Sequence, residues 1–257
     1  MNQKIPCTVA ILTHNSATTL RRALQSVALF DEIIISDGNS TDATRSIAEE
    51  YGARILTQDA SFLQSGRIRN FAGVRNQTLD AANHDWFFFL DSDEFLGQAL
   101  VEEISLVVEK NIPTAYWVPR KYVYNESSID NAVTYPTQQI RFFNRRVATR
   151  FVKEVHERIN LTVTPEKLSQ AMFVPVPTVS EMKAKWKHYL IIERGRLRGH
   201  SLHKRVKLSL RELAIGGLYL SRLLRIFLFS KGTHLPFAYE WARVMYQLQL
   251  VGTMFGW

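Results

Sequence analysis

The stretch Trp86-Phe87-Phe88-Phe89-Leu90, followed at once by Asp91-Ser92-Asp93-Glu94, constrains this chain more than any other. Five consecutive apolar residues suit a strand buried on both faces. The run stops at three carboxylates separated by one serine, so the strand delivers acid groups to a sheet edge. If the extension continues, side chains alternate, and Asp91 and Asp93 share one side while Ser92 points away. Two readings follow. Either the paired carboxylates hold a hard divalent cation, Mg2+ or Mn2+, that takes further ligands from substrate phosphates, or the acids mark a strand end followed by a helix N-cap.

The residues upstream read as repeated strand-helix steps. Thr8 to Thr13 forms a first strand ending in His14-Asn15-Ser16, with no glycine in the turn. A dinucleotide fingerprint or a P-loop needs glycines there so that backbone can approach phosphate, and both are excluded. Ser16 is expected to cap a helix carrying Leu20, Ala23, Leu24 and Val27 at helical spacing. Ile33 to Ile35 is a second strand that runs into Ser36-Asp37-Gly38-Asn39-Ser40-Thr41-Asp42, where Gly38 permits a tight turn and Ser40 or Thr41 caps the next helix. Asp37 is placed to accept hydrogen bonds from a base or ribose, or else to stabilise the turn, with Asp42 on the helix dipole. A third strand, Ala53 to Leu56, is followed by a predicted helix holding Arg75 and Asn76, whose guanidinium either pairs with phosphate or is solvated. The alternation predicts an α/β fold with a parallel sheet.

Thr13-His14-Asn15, Ser36 to Asp42, Arg75-Asn76 and Asp91-Ser92-Asp93-Glu94 occur in the order seen in family-2 glycosyltransferases. Over the first 95 or so residues the chain resembles the nucleotide-sugar-binding half of that family, particularly the branch of lipopolysaccharide core β-glucosyltransferase-like enzymes. The resemblance implies a GT-A fold with a parallel to mixed sheet flanked by helices, a nucleoside-diphosphate sugar donor, a divalent metal and inversion at the anomeric carbon. It implies that Thr13, Asn15, Asp37 and Arg75 bind the nucleotide and that Asp91 and Asp93 form a DxD motif. Many relatives carry two adjacent acids where this chain has Asp37-Gly38.

After Pro113 the pattern changes to short aromatic-rich strands, which suit a mixed sheet on the acceptor side. Relatives carry a Val-His-Glu segment after an Arg-Leu-Phe-like one, matched here by Val155-His156-Glu157 and Arg141-Phe142-Phe143. Glu157 is the candidate general base, with His156 as its neighbour or as a further metal ligand; otherwise Glu154 and Glu157 balance Arg150, Lys153 and Arg158 on an exposed strand. His188 is a second candidate ligand, set against surface or core duty. Gln138 to Arg141 before Phe142 superficially resembles the QxxRW motif of processive relatives, but it precedes the proposed base and is discounted.

Charge divides the chain into 1–112, a nucleotide-sugar-binding half; 113–181, an acceptor-side half of the same domain; and 182–257, a basic helical extension. Residues 1–110 carry 9 Lys/Arg against 15 Asp/Glu, whereas residues 183–257 carry 14 against 3. The basic tail predicts an anionic membrane surface or glycolipid acceptor as partner, and no nucleic acid; its helices otherwise pack on the catalytic domain or on another subunit. One cysteine, Cys7, supports neither a disulfide framework nor a cysteine-rich zinc site. The N-terminal residues lack the apolar core of a secretory signal and no apolar run is long enough to span a bilayer, which predicts a cytoplasmic protein, peripheral on the inner face of the plasma membrane. The leading expectation is a metal-dependent glycosyltransferase acting on a lipopolysaccharide core, another lipid-linked glycan or a surface glycan. Its rivals are a sugar-nucleotide nucleotidyltransferase, which would want a glycine-rich loop where Thr13 to Thr19 stands, and a non-enzymatic basic membrane-binding scaffold.

Overall fold

The computed structural model describes residues 4–64, 67–154, 157–197 and 201–255. The chain divides into two compact units, Met1–Lys121 with Thr137–Val174, and Tyr122–Pro136 with Pro175–Trp257. The first begins with β1 (Ile5–Thr13), α1 (Ala17–Ser26), β2 (Phe30–Asp37), α2 (Thr44–Glu50) and β3 (Arg54–Thr57). A hairpin of β4 (Leu63–Gln64) and β5 (Arg67–Ile68) leads into α3 (Phe71–Ala81) and β6 (Trp86–Asp91). Next come β7 (Phe95–Leu96), α4 (Gln98–Lys110) and the long β8 (Ala115–Tyr124), whose last residues pair with β9 (Ser127–Ser128) in the second unit. β10 (Gln138–Asn144), the antiparallel pair β11 (Ala148–Val152) and β12 (Arg158–Leu161), β13 (Glu166–Lys167) and β14 (Met172–Pro175) follow.

β3, β2, β1 and β6 run parallel in that spatial order, and β10 pairs antiparallel with both β6 and β8. The sheet is therefore parallel up to β6 and mixed beyond it, an α/β architecture as expected. Successive strands step outward from β1 to β3, and the chain then returns to place β6 on the other flank of β1. Ligands in open α/β sheets bind outside the carboxyl ends of the strands at such a reversal. Leu12 is in register with Asp91 and Thr13 with Asp37, so both carboxylates arrive at that edge.

The apolar run of β6 is explained by cover on both faces. Phe88 and Leu90 pack with Val9, Ile11, Leu24 and Ile104 on one side, whereas Phe87 and Phe89 pack with Ala10, Leu79, Phe143 and Phe151 on the other. Phe88 is fully buried, and its ring lies 6.2 Å from that of Phe142. Phe88→Ala is expected to lower stability by about 3–5 kcal/mol, the usual cost of an aromatic-sized void. Urea unfolding should show this as a lower midpoint at unchanged slope.

The second unit contains α5 (Val179–Leu197), α6 (Leu202–Phe229) and α7 (Phe237–Phe255). Val133 is buried with Leu223, Ile226 and Val244, and Ile129 and Ala132 with Leu235 and Tyr239. Arg222 Nη1 donates to the Val133 carbonyl at 2.9 Å, and Val133 N donates to Glu240 Oε1 at 3.2 Å. Residues 122–136 and 175–181 thus share a compact unit with the helices, a grouping by contact drawn along other lines than the division by charge and composition. Their partners lie 89 and 107 residues further along the chain, beyond the reach of any local pattern. Among the described residues no helix is long and apolar enough to cross a membrane.

Candidate active site

The loops after β1 and β2 brace each other. Asp37 is fully buried, accepting from Thr13 Oγ1 at 3.1 Å, Ser40 N at 3.1 Å, Ser40 Oγ at 2.6 Å and Arg45 Nη1 at 3.2 Å. Asn15, at φ +50°, donates its backbone N–H to Ser40 Oγ at 2.8 Å and accepts from Thr41 N at 2.8 Å. His14 Nδ1 lies 2.8 Å from the Gly38 carbonyl, and a Cβ on Gly38 would sit 3.0 Å from Gln58 Oε1, so glycine fits this close approach. Asp37, expected to meet the nucleoside, stands at the carboxyl end of β2, where these four donors hold it within the turn. Thr13 and Asn15 belong to the same brace. The capping expectations also change. Ser16 stands at the start of α1, but its Oγ pairs with Ser92 Oγ at 2.9 Å, and the first turn of α2 is met by Asp42, which accepts from Thr44 N at 3.0 Å.

Arg75 enters from α3, whose N-terminus is capped by Asn70 accepting from Gly73 N at 2.8 Å. Arg75 Nη2 donates to Asp91 Oδ1 at 2.8 Å, and its Nε to Glu157 Oε1 at 2.7 Å. Arg141, from β10, donates through Nη2 to Asp91 Oδ2 at 2.9 Å and lies 3.2 Å from Glu94 Oε2. Arg120, from β8, closes the set on Glu94 Oε1 at 2.5 Å. Three guanidiniums thus meet three carboxylates. The side chains of Arg75 and Arg141 are only 4% and 3% exposed, whereas Asp91 keeps 40%. Both guanidiniums lie over the Phe89 ring, 4.4 and 4.7 Å from its centre, which adds cation–π attraction in a desolvated setting.

The electrostatics follow from this packing. Burial pushes the Asp91 carboxyl up, but Arg141 and Arg75 outweigh it and hold the group well below the usual carboxylate range. At Glu94 burial wins and, with repulsion from Asp91, raises the carboxyl despite Arg141 and Arg120. Burial would lower Arg141, yet Asp91 and Glu94 keep it above its ordinary value. Arg75 Nη1 is buried without a hydrogen-bond partner among the described residues. A buried donor left so costs about 1–3 kcal/mol, which a ligand oxygen reaching it would remove. Arg75, Asp91, Arg141 and Glu157 line a cavity of about 670 Å3 together with Trp117 and Gln139.

β6 ends at Asp91. Ser92 and Asp93 form a turn closed by Glu94 N donating to the Asp91 carbonyl at 3.0 Å, so the expected alternation stops before Asp93. The chain turns here because Glu94 swings inward to the two arginines. Among the described residues no three His, Cys, Asp or Glu side chains converge as a metal cage. Mg2+ does not need one, since it commonly takes one or two carboxylates and completes its shell with water and phosphate. Asp91, whose oxygens keep lone pairs beyond those given to the arginines, and exposed Asp93 fit that donor set. His156 lies outside the described residues, and His188 falls in α5 of the helical unit. Arg141, Gln139, Glu94, Arg120 and Trp117 join the site without having been expected there. The Gln138-to-Arg141 spacing is the signal that finds Arg141, and chain order ceases to matter once β10 lies beside β6.

The sequence model of glycosyl transferase family 2 matches residues 8–158. A TPR repeat-containing protein of Synechococcus elongatus is 31% identical over 153 residues, covering 59% of this chain and 35% of that protein. A lipopolysaccharide core biosynthesis glycosyltransferase of Rhizobium meliloti is 30% identical over 105 residues, covering 40% of this chain and 37% of that protein. The chain thus spans about a third of the length of these curated relatives. A crystal structure of S. aureus TarS with UDP-GlcNAc aligns over 95% of this chain and 81% of its own, at 16% identity and a TM-score of 0.49. The family match takes in more than half of the residues, from β1 through β6 to Glu157, and its helix-flanked mixed sheet is the GT-A arrangement. This chain belongs to glycosyl transferase family 2.

Proposed function

We propose that this protein is an inverting, metal-dependent glycosyltransferase that moves one sugar from a nucleoside-diphosphate donor to a hydroxyl of a lipopolysaccharide core, another lipid-linked glycan or a surface glycan. The observation that carries the reading is Asp91, set at the carboxyl end of a buried strand, gripped by two buried arginines and sharing a cavity with Glu157. The acceptor class rests on the likeness to the lipopolysaccharide core enzyme.

Breaking a sugar-phosphate bond leaves negative charge on the diphosphate. A divalent ion held by Asp93 and Asp91 would neutralise that charge, so the leaving group departs without a proton. Arg75 and Arg141 fix Asp91 before substrate arrives, and such preorganisation spares reorganisation during reaction. Arg75 Nη1 is the donor that a phosphate oxygen would satisfy. Glu157, held through Oε1 by Arg75, keeps Oε2 to take the proton of the acceptor hydroxyl. The acceptor oxygen then bonds to the anomeric carbon as the carbon-oxygen bond to phosphate breaks, its electron pair leaving with the diphosphate, and attack from the opposite face inverts the centre. The test is to incubate the protein with Mn2+, a panel of nucleotide sugars and acceptor glycans, and to measure released nucleoside diphosphate. A parallel mixture of nucleoside triphosphate and sugar 1-phosphate that releases pyrophosphate instead would indicate nucleotidyl transfer, and release of neither product would indicate a scaffold.

A further inference from the structure

The helical unit carries an apolar surface that its own packing leaves uncovered. On α6, Val206, Leu210, Leu213, Leu220, Leu224 and Leu228 are each 40–66% exposed and recur at helical spacing along one stripe. In the gap between Leu213 and Leu220, Gly217 has nothing within 4 Å of the place a Cβ would occupy, so the stripe is open there too. α7 repeats the pattern with Phe237, Trp241, Met245, Leu248 and Phe255, which are 36–53% exposed. The Phe227 ring meets Phe237 edge-on at 5.4 Å and Phe237 stacks on Trp241 at 6.0 Å, joining the two helices in one aromatic patch near the hairpin end.

The exposed charge on α6 and α7 themselves has one sign. Of the three acids among residues 183–257, Glu212 and Glu240 are 5% and 0% exposed and face Arg211 and Arg243. The cations Lys204, Lys207, Arg211 and Arg225 on α6 are exposed. Lys183 and Lys187, one turn apart on α5, border a cleft of about 620 Å3 together with Trp186 and with Trp241 and Met245 of the α7 stripe. Two ammonium groups therefore stand where the apolar surface ends.

We propose that this face docks the protein onto an anionic phospholipid surface, with the α6 and α7 stripes entering the bilayer interface and the neighbouring lysines and arginines meeting lipid phosphates. Amphipathic helices of this kind lie in the interface plane, held by buried apolar area together with attraction to anionic headgroups. Tryptophan suits that depth, having an apolar body and a polar N–H. A second copy is the other occupant that such a seam fits, but it would set cation against cation, whereas anionic lipid complements the charge. The proposal goes beyond the catalytic reading and does not depend on it, because docking needs neither donor nor turnover.

The test is flotation of the whole chain with phosphatidylglycerol-containing vesicles against pure phosphatidylcholine vesicles, with solution mass followed by light scattering. Anionic vesicles are expected to bind about tenfold more protein or better, and added salt should weaken the difference. Leu210→Glu combined with Leu224→Glu should abolish binding while circular dichroism stays unchanged. Lys183→Glu combined with Lys187→Glu, which leaves the apolar stripes intact, should reduce the preference for anionic lipid. Equal flotation of the wild type and the leucine pair would overturn the proposal, as would an unbound wild-type dimer that the leucine pair dissociates. Vesicle binding without donor turnover would overturn only the catalytic reading, and turnover without vesicle binding only this one.

Discussion

Asp93→Ala is expected to lower nucleoside-diphosphate release by about two to three orders of magnitude, the scale of losing one preorganised charge stabiliser, while stability stays within about 0.5 kcal/mol of the wild type. The two effects separate because Asp93 lies exposed in the turn after β6. Asp91→Ala should behave differently. Its removal would leave Arg75 and Arg141, both nearly buried, without the carboxylate they share. Asp91 keeps 40% exposure and each arginine retains a second carboxylate, Glu157 or Glu94, so the cost falls below that of a fully buried pair, at about 1–3 kcal/mol, and that variant should lose stability together with turnover. Release measured across a Mn2+ titration, with thermal unfolding of the same samples, checks the contrast. Unchanged turnover of Asp93→Ala at limiting metal would remove the metal role.

What the sequence disclosed depended on how local each signal was. β6 is legible because cover on both faces demands apolar residues at every position, and that demand is written into consecutive letters. The parallel half follows from the same logic repeated at β1 and β2. The charge cluster around Asp91 is not legible in this way, since its members come from α3, β8, β10 and the segment before β12. Arg141 reaches Asp91 across 50 positions and Arg75 reaches Glu157 across 82, and no short window holds both partners. Asp37 shows the opposite limit. Its place at the end of β2 is correctly read, yet its burial under Ser40 and Arg45 depends on how the next turn folds back. The helical unit is readable as basic and helical, whereas its claim on residues 122–136 depends on contacts to α6 and α7 that composition does not record.

Glu157→Gln is expected to cut turnover by about two to four orders of magnitude while donor affinity changes only a few-fold, the loss expected when a positioned base can no longer take a proton. The amide keeps the size of the carboxylate and an oxygen for Arg75 Nε, so the cavity retains its shape. The alternative, that Glu157 merely balances exposed cations, fits the contacts poorly. Arg150 pairs with Asp80 at 2.5 Å, and Glu154 lies 3.9 Å from Arg69, whereas Glu157 is held by nearly buried Arg75 at 2.7 Å. A carboxylate so placed shares its arginine with Asp91, so the proposed base and the proposed metal-binding carboxylate are held by one guanidinium. Donor binding by calorimetry and turnover per folded molecule distinguish the roles. A base loses turnover with binding intact, whereas a residue acting only through Arg75 loses both together. Wild-type turnover in the glutamine variant would exclude Glu157 from proton transfer altogether.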